Sequence, residues 1–459
     1  MPLPSDSPYL TDASGQTGFA DRVFTPDDES GVAQVMRGAD AAEIPVTISG
    51  AGTGLTGGRV PLGGWVLSLE RLNRLEIFPG YAVCGAGVLL SDLQAATGPS
   101  RQLYAPDPTE WGASVGGSIA TNASGSRSFM YGDTRRYVRS LRVVLASGEV
   151  LALRRGDKPP FDLPVIDPPH TSKNTAGYFL RKDMDFLDLF VGSEGTLGII
   201  TEAELALLPA PDSLFTGVVF FDSDEAALAA VTAWRPLKDS GLRMLEYTDA
   251  ASLNLLRTRF PEIPTEARAA LLIEQELGKG KESDVAEEAW IDRLEASSAL
   301  LEASWFATSA ADRERFRKFR HAVPEAVNDL LRQKHLIKMG SDFAVPIEKN
   351  GEMLRTYRET LDREFPGQYV IFGHIGDAHL HTNILPASED EWRRAKQLMI
   401  RFATQAVEMG GTVSAEHGLG KRKTDLLPIQ FSADQIAAMK SVKARLDPLN
   451  LLGRGTVFG

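Results

Sequence analysis

Hydrophobic and polar positions alternate along this chain in two rhythms, and the breaks between them are as informative as the runs. Val32, Val35 and Met36 predict a helix over residues 27–42, followed by a strand at 44–48. Strand-like patterns cover 65–69 and 82–90, with a short helix at 92–96, and residues 141–153 predict a β-hairpin turning at Ser147-Gly148. Over 187–208, Gly192, Gly195 and Gly198 punctuate strand-like segments. After Pro209-Ala210-Pro211 the order becomes strand 215–221, helix 224–234, strand 269–276, and helices over 281–301 and 312–332. Strands at 369–372, 381–385 and 412–415, a helix at 389–409 and a last helix at 432–446 complete the pattern, which predicts an α+β fold. The expected division is a polar arm at 1–25, a first domain at 26–209 and a second at 210–459. No internal repeat and no low-complexity tract interrupts it.

Three breaks carry chemistry. Residues 50–58, GAGTGLTGG, follow the strand at 44–48. Backbone without Cβ atoms turns its N–H groups toward one point and lets a phosphate or pyrophosphate approach closely. Gly52, Gly54 and Gly57 fit G-x-G-x-x-G, but the dinucleotide fold with that motif needs a helix next, and Pro61, Gly63, Gly64 and a strand follow instead. The loop therefore predicts phosphate binding between strands; a mere flexible turn is the other reading. Residues 104–125, YAPDPTEWGASVGGSIATNASG, offer little apolar material and read as backbone shaped around a ligand. Residues 154–175 are proline-rich and irregular, the mark of a functional or peripheral insertion.

Composition narrows the partners. A chain of 459 residues with 43% hydrophobic content exceeds one core, and a net charge of −12 disfavours nucleic acid. A single cysteine, Cys84, excludes a disulfide framework or an iron–sulfur cluster within the chain. The first ten residues show neither a basic nor an apolar leader region, and no run approaches the ~18–20 apolar residues of a membrane span. A cytoplasmic location without a transmembrane segment is expected.

Four of the seven histidines, His374, His379, His381 and His417, cluster near one another in sequence, and Glu416 precedes the last. In FGHIGDAHLHTNIL, strand alternation puts His379, His381 and Asn383 on one face, and the turn signal Gly376-Asp377 lets the chain fold back and bring His374 beside His381. Imidazoles with Glu416 suit Zn²⁺ or Mn²⁺; separately satisfied polar residues are the other reading. His170, His321 and His335 show no partner in the sequence. The helix at 312–332 holds five arginines (Arg313, Arg315, Arg317, Arg320, Arg332), usually a solvated face, any one of which could bind a carboxylate bidentately.

SGAGTGLTGG, PDPTEWGASVGGSIATNASG and LFVGSEGTLGIITEAEL together resemble the flavin-binding domain of the vanillyl-alcohol-oxidase / p-cresol-methylhydroxylase superfamily. FGHIGDAHLHTNIL and SAEHGLG resemble the C-terminal domain of its FAD-linked D-2-hydroxy acid dehydrogenase branch, which includes D-lactate dehydrogenases, glycolate oxidase subunits and D-2-hydroxyglutarate dehydrogenases. The likeness runs from about residue 16 to the end, in the family's order. It implies a two-part FAD-binding domain of the p-cresol-methylhydroxylase type, followed by an α+β FAD-linked oxidase C-terminal (cap) domain. Ser49, Gly50, Ala51, Gly52, Thr53, Gly54, Leu55, Thr56 and Gly57 match the segment that cradles the FAD pyrophosphate. Pro106, Asp107, Gly116, Gly117, Thr121, Asn122, Gly125 and Ser126, with Glu194, Gly195 and Ile200, match positions lining the flavin. His374, His381 and Glu416 fall on the metal ligands, His417 on the general base, Arg320 on the carboxylate-holding arginine, and Asn383 on a polar position near metal or substrate. Lys338 matches a second carboxylate-binding cation, although its spacing to Asp342 is longer than the pattern.

The chain departs from the family at Ala378-His379, where Gly-Asn is usual, and at Gly453-Arg454-Gly455-Thr456, where Asn-Pro-Gly-Lys is usual. His379 is thereby left as an added ligand, a substrate or outer contact, or an inert residue. No histidine or cysteine lies in the flavin-contacting motifs through residue 126, which predicts FAD held without a covalent bond. The implied reaction is oxidation of a D-2-hydroxy acid, with electrons leaving to a quinone, a cytochrome, an electron-transfer flavoprotein, a partner subunit or oxygen. Such an acceptor offers a route to the inner-membrane surface, and a homodimer is compatible with this plan. Two alternatives stand beside it: a catalytically silent FAD-containing electron-transfer subunit, and a non-redox enzyme like alkyl-dihydroxyacetone-phosphate synthase. The latter normally shows three consecutive histidines where this chain has Ala415-Glu416-His417.

Overall fold

A computed structural model describes residues 3–278, 281–333 and 339–459. His335 and Lys338 lie outside the described residues. The first sheet is parallel, in the order Arg22–Phe24, Trp65–Ser68, Val46–Ser49. Asp28 caps the helix Glu29–Ala41 by accepting from the Gly31 N–H, and Val32, Met36 and Ala39 pack on Val46 and Leu67. Parallel neighbours usually need a helical crossover. Here the glycine-rich loop alone spans Val46–Ser49 to Trp65–Ser68, so the absence of a dinucleotide-type helix is met.

A five-stranded antiparallel sheet follows, in the order Leu75–Phe78, Tyr81–Gly85, Ile199–Ala206, Val138–Val144, Val150–Arg154, and it contains the expected hairpin. The C-terminal half is built on seven antiparallel strands in the order Trp305–Phe306, Ser213–Phe221, Ala269–Leu277, Leu242–Asp249, Tyr369–His374, His379–Ile384, Met339–Gly340. The largest apolar cluster runs between the two halves, joining Leu141 and Leu197 to Phe129, Ile375 and Tyr357. Gly376 makes one close approach possible, because a Cβ there would lie 2.7 Å from the Phe129 ring. The turn of the histidine hairpin therefore sits on the N-terminal half.

Several sequence expectations need correction. Residues 412–415 form no regular strand; Thr412 makes one bridge to Ala344, and the chain then bends to present Glu416 and His417. The helix starting at Lys281 stops at Glu295, and a short 3-10 turn Leu301–Ala303 replaces its expected end. The stretch 104–125, expected as backbone shaped around a ligand and given no regular element, contains the helix Val115–Ala120, capped by Ser114. Strand Leu242–Asp249 escaped the pattern because it is buried on both faces and shows no alternation.

Candidate active site

A cavity of about 290 Å³ opens where the glycine-rich loop, the helix at Val115–Ala120 and the Glu416-His417 bend meet. Gly50, Ala51, Gly52, Thr53, Gly54, Leu55 and Thr56 line it along one side. Gly116, Gly117, Thr121 and Gly125 line another, with Glu194, Gly195 and Ile200. A Cβ on Gly54 would meet only Asp12 Oδ2, at 3.9 Å, and one on Gly58 would meet nothing within 4 Å. The loop thus holds its backbone open toward the space, as a cradle for a phosphorylated cofactor does. Walls of glycine, alanine, serine and threonine with Ile48, Leu69 and Ile199 suit a flat, partly apolar ring system.

Six of the expected flavin contacts stand behind this wall. Ser49 and Gly57 are buried in the loop's support, Pro106 is buried beside Asp107, and Asn122 donates to Asp133 and accepts from the Arg135 N–H. Asp107 accepts from the Trp111 indole at 3.0 Å and from Ser126 Oγ at 3.1 Å, and lies 3.6 Å from Arg127. Gly125 explains this arrangement. Its φ is +129°, and a Cβ there would fall 1.9 Å from the Asp107 carbonyl oxygen, so only glycine lets these two segments touch. Glu194 lines the cavity and also accepts from the Leu419 and Gly420 N–H groups, each at 2.8 Å, clamping the loop after His417 to the N-terminal half. Burial pushes its carboxyl up to about 7 despite those two donors. The divergent C-terminal turn also contributes, since Gly453 lines the cavity and donates to the Val46 carbonyl.

The histidine hairpin folds back at Ile375–Asp377, pairing His374 with His379 and Phe372 with His381. Directly paired residues share a face, so the three imidazoles stand together, and Asn383 follows on the same face by alternation. Ala378, in place of the usual glycine, occupies the left-handed turn position at φ +51°. Glu416 Oε1 lies 3.2 Å from His374 Nε2, 3.4 Å from His381 Nε2 and 3.8 Å from His417 Nε2. The outer ring nitrogens are held as well. His374 Nδ1 is 2.6 Å from Glu246 Oε1, and His381 Nδ1 is 3.2 Å from the Ser341 carbonyl. Imidazoles oriented through their far nitrogens onto a carboxylate oxygen are a donor set that fits a borderline divalent cation.

His379 is fully buried, its Nε2 3.1 Å from Asp342 Oδ1, although its ring reaches within the same cluster of ligand atoms. Burial and the neighbouring His381 push its pKa down to about 3. Asp342 is a second hub. Its Oδ2 accepts from Ser414 Oγ at 2.8 Å and from the His417 N–H at 2.9 Å, while its Oδ1 lies 3.4 Å from His417 Nδ1. Burial opposes its ionisation, but His417 and Lys423 outweigh burial and hold its carboxyl well below the usual range. Burial in turn pushes His417 down to about 4 against the pull of Asp342.

Beside His374 and His381 lies a smaller cavity of about 50 Å³, lined also by Thr109, Arg320, Phe319 and Phe372. Arg320 reaches it from the charged helix, donating through Nε to Glu246 Oε2 at 3.2 Å and through Nη2 to Thr109 Oγ1 at 3.4 Å. Glu246 therefore ties His374 to Arg320; burial opposes its charge, yet these two neighbours bring it down to about 2. Sequence reasoning passed over Glu246, although an acid within LRMLEYTD, an otherwise buried strand, is itself a signal. It also passed over Lys173, which no local pattern distinguishes.

Comparisons with known proteins agree with this geometry. Residues 20–154 match an FAD binding domain, and residues 210–457 match the C-terminal domain of FAD linked oxidases. A D-lactate dehydrogenase of Anaerostipes hadrus is 33% identical over 93% of this chain and 87% of its own length. Glycolate oxidase subunit GlcD of Bacillus subtilis is 32% identical over 98% and 92%, and a D-2-hydroxyglutarate dehydrogenase of Xanthomonas citri pv. viticola is 31% identical over 95% and 89%. An alkyldihydroxyacetonephosphate synthase structure matches with a TM-score of 0.69 over 95% of this chain and 76% of that one, at 17% identity, which is a likeness of fold. Among the described residues no helix is long and apolar enough to cross a membrane. The glycine-walled cavity, the α+β cap that closes it and the two family matches in sequence order identify the chain as a member of the FAD-linked oxidases, and so as a flavin-dependent oxidoreductase.

Proposed function

We propose that this protein oxidises a D-2-hydroxy acid, such as D-lactate, glycolate, D-2-hydroxyglutarate or a larger analogue, to the 2-oxo acid. His374, His381 and Glu416 hold a divalent cation, zinc or manganese, and the loop at 50–57 holds FAD without a covalent bond. FAD would supply a hydride acceptor there, and the cation would supply a Lewis acid for the substrate hydroxyl. The rest is the work of the chain. His417 takes the hydroxyl proton on Nε2; its backbone N–H and its Nδ1 both face Asp342, which sets the ring's orientation. Arg320 and Lys338 hold the substrate carboxylate, Asn383 orients the substrate beside His381, and the cap walls the site from water. Electrons then pass to a separate acceptor, a quinone, a cytochrome, an electron-transfer flavoprotein or a partner subunit. A cytoplasmic protein, alone or as a homodimer, reaches the inner membrane through that acceptor.

The observation that carries this reading is the convergence of three imidazole nitrogens on Glu416 Oε1, within 3.8 Å, at the edge of the glycine-walled cavity. The relatives named for D-lactate, glycolate and D-2-hydroxyglutarate support the substrate class. The test is an anaerobic visible spectrum titrated with D- and L-lactate, glycolate, D-2-hydroxyglutarate and larger D-2-hydroxy acids, with and without a chelator. Bleaching by a D-acid that the chelator abolishes is expected. Bound flavin that no hydroxy acid reduces refutes the reading and favours the silent subunit or the non-redox enzyme.

A further inference from the structure

Lys173 comes from the proline-rich stretch that the sequence marks as an insertion, yet it is only 3% exposed. Its Nζ lies 3.1 Å from Glu416 Oε2 and 3.7 Å from Asp377 Oδ2, and it donates to the Gly125 carbonyl at 3.4 Å. Ser124 Oγ donates to the same Glu416 Oε2 at 2.8 Å. The two oxygens of this carboxylate are therefore in different surroundings. Oε2 is occupied by an ammonium and a hydroxyl, and Oε1 faces the imidazole nitrogens. Asp377, at the turn of the histidine hairpin, is pinned by Ser128 Oγ on Oδ2 and Ser172 Oγ on Oδ1. Lys173 thus meets three parts at one point: the hairpin turn, the Glu416 bend and the flavin-cavity wall at Gly125.

We infer that Lys173 is a positioning residue that holds Glu416 by Oε2, so that a divalent cation meets one carboxylate oxygen, Oε1, and not two. The inference rests on the proposed metal site. A buried ammonium loses its hydration, and it persists only where opposite charge replaces the water. Glu416 and Asp377 supply that charge, and Ser124 completes the set. Without Lys173 the Glu416 carboxylate is held at Oε2 by Ser124 alone and is free to turn, so the oxygen that faces the imidazoles is no longer fixed in place. The effect on the cation is that of an outer contact to a ligand, where a substitution typically costs about 10–100-fold in metal affinity.

The experiment uses FAD-loaded protein stripped of metal with a chelator. Zn²⁺ affinity is measured by competition with a chromophoric chelator, and Co²⁺-loaded protein gives a visible spectrum that reports ligand geometry. Lys173→Met is expected to bind Zn²⁺ about 10–100-fold more weakly and to shift the Co²⁺ bands, with the flavin spectrum unchanged. Lys173→Arg restores part of the affinity, because a guanidinium can still meet Oε2, and Ser124→Ala weakens binding in the same direction by less. Lys173→Met with wild-type Zn²⁺ affinity and an unmoved Co²⁺ spectrum overturns the inference. Should Lys173→Met fail to fold, Ser124→Ala decides, and wild-type affinity with an unmoved spectrum in that variant overturns it equally. Wild-type protein that takes up neither ion refutes the metal site itself, a result separate from equal binding by wild type and variant.

Discussion

Asp342→Asn separates the role of His417 as a base from its mere presence in the site. The substituted amide has only one sensible orientation. Ser414 Oγ and the His417 N–H both donate to Oδ2, at 2.8 and 2.9 Å, so the amide oxygen takes that place and the NH₂ takes the place of Oδ1. There it faces His379 Nε2, which lay 3.1 Å from Oδ1, and His417 Nδ1, which lay 3.4 Å away. A donor at that position favours the His417 tautomer with a bare Nδ1 and a protonated Nε2, and such a ring cannot accept the substrate proton. The same exchange in a serine-protease triad costs about 10⁴ in kcat, and general-base loss costs about 10²–10⁴, or roughly 3–5 kcal/mol of transition-state stabilisation. Stability falls less. The Glu416 N–H loses Oδ1 at 3.3 Å but keeps Oδ2 at 3.5 Å, a cost of about 1 kcal/mol, that of one net hydrogen bond. The assay is anaerobic single-turnover flavin reduction, with FAD and metal content measured on the same sample. The expected variant keeps FAD and metal and reduces flavin at least about 10²-fold more slowly at saturating substrate. A variant that retains more than about a third of the wild-type rate refutes the assignment of His417 as the base.

Further outcomes follow from other parts of the structure. Glu194 has a folded pKa of about 7 against an ordinary 4.5, so the native state holds its proton longer than the unfolded chain does. Stability contributed by the neutral form is full below about pH 4.5 and declines as pH rises to about 7, by an order-of-magnitude 3 kcal/mol. Denaturant midpoints of wild type and Glu194→Gln across that range should therefore converge or cross as pH rises, and parallel curves speak against a neutral Glu194. Gly125→Ala places a Cβ against the Asp107 carbonyl and should lose flavin absorbance per protein on purification; full flavin content would show that the two segments can separate cheaply. Arg358→Met strips the fully buried Asp249 of a partner 3.0 Å away and Asp224 of one 2.8 Å away. It should lower unfolding stability by about 3–5 kcal/mol while leaving flavin reduction per folded molecule unchanged, and a loss under about 1 kcal/mol would count against a buried, uncompensated charge.

What was legible in the sequence was local. The loop at 50–58 announces itself because glycines at that density have few other uses, and the hairpin at 374–381 because Gly376-Asp377 interrupts a strand rhythm between histidines. Both features depend on residues a few positions apart. Glu246 and Lys173 lie 128 and 243 positions from the residues they orient, His374 and Glu416, and nothing in their immediate neighbours records that pairing. The expected strand at 412–415 failed for a related reason. Its apolar and β-branched residues satisfy strand propensity, but the ladder with Ala344 ends after one bridge, since the Asp342 side chain then takes the N–H groups of Glu416 and His417.

His379 is the position at which the sequence departs from the family pattern, and the structure shows its surroundings. A histidine at a position usually filled by asparagine could have been a ligand, a substrate contact or an inert residue. Its ring is packed 4.4 Å from that of His381, fully buried, and its Nε2 faces a carboxylate that also faces His417 Nδ1. Asp342 is shut away from water, and on that side a neutral imidazole stands beside its Oδ1 without adding charge. The substitution from the family pattern thus acts first on Asp342, and through Asp342 on the ring that faces the flavin cavity. This coupling is physical and local, yet it joins residues 342, 379 and 417, which lie on three separate segments of the chain. Only the fold brings them within one cluster.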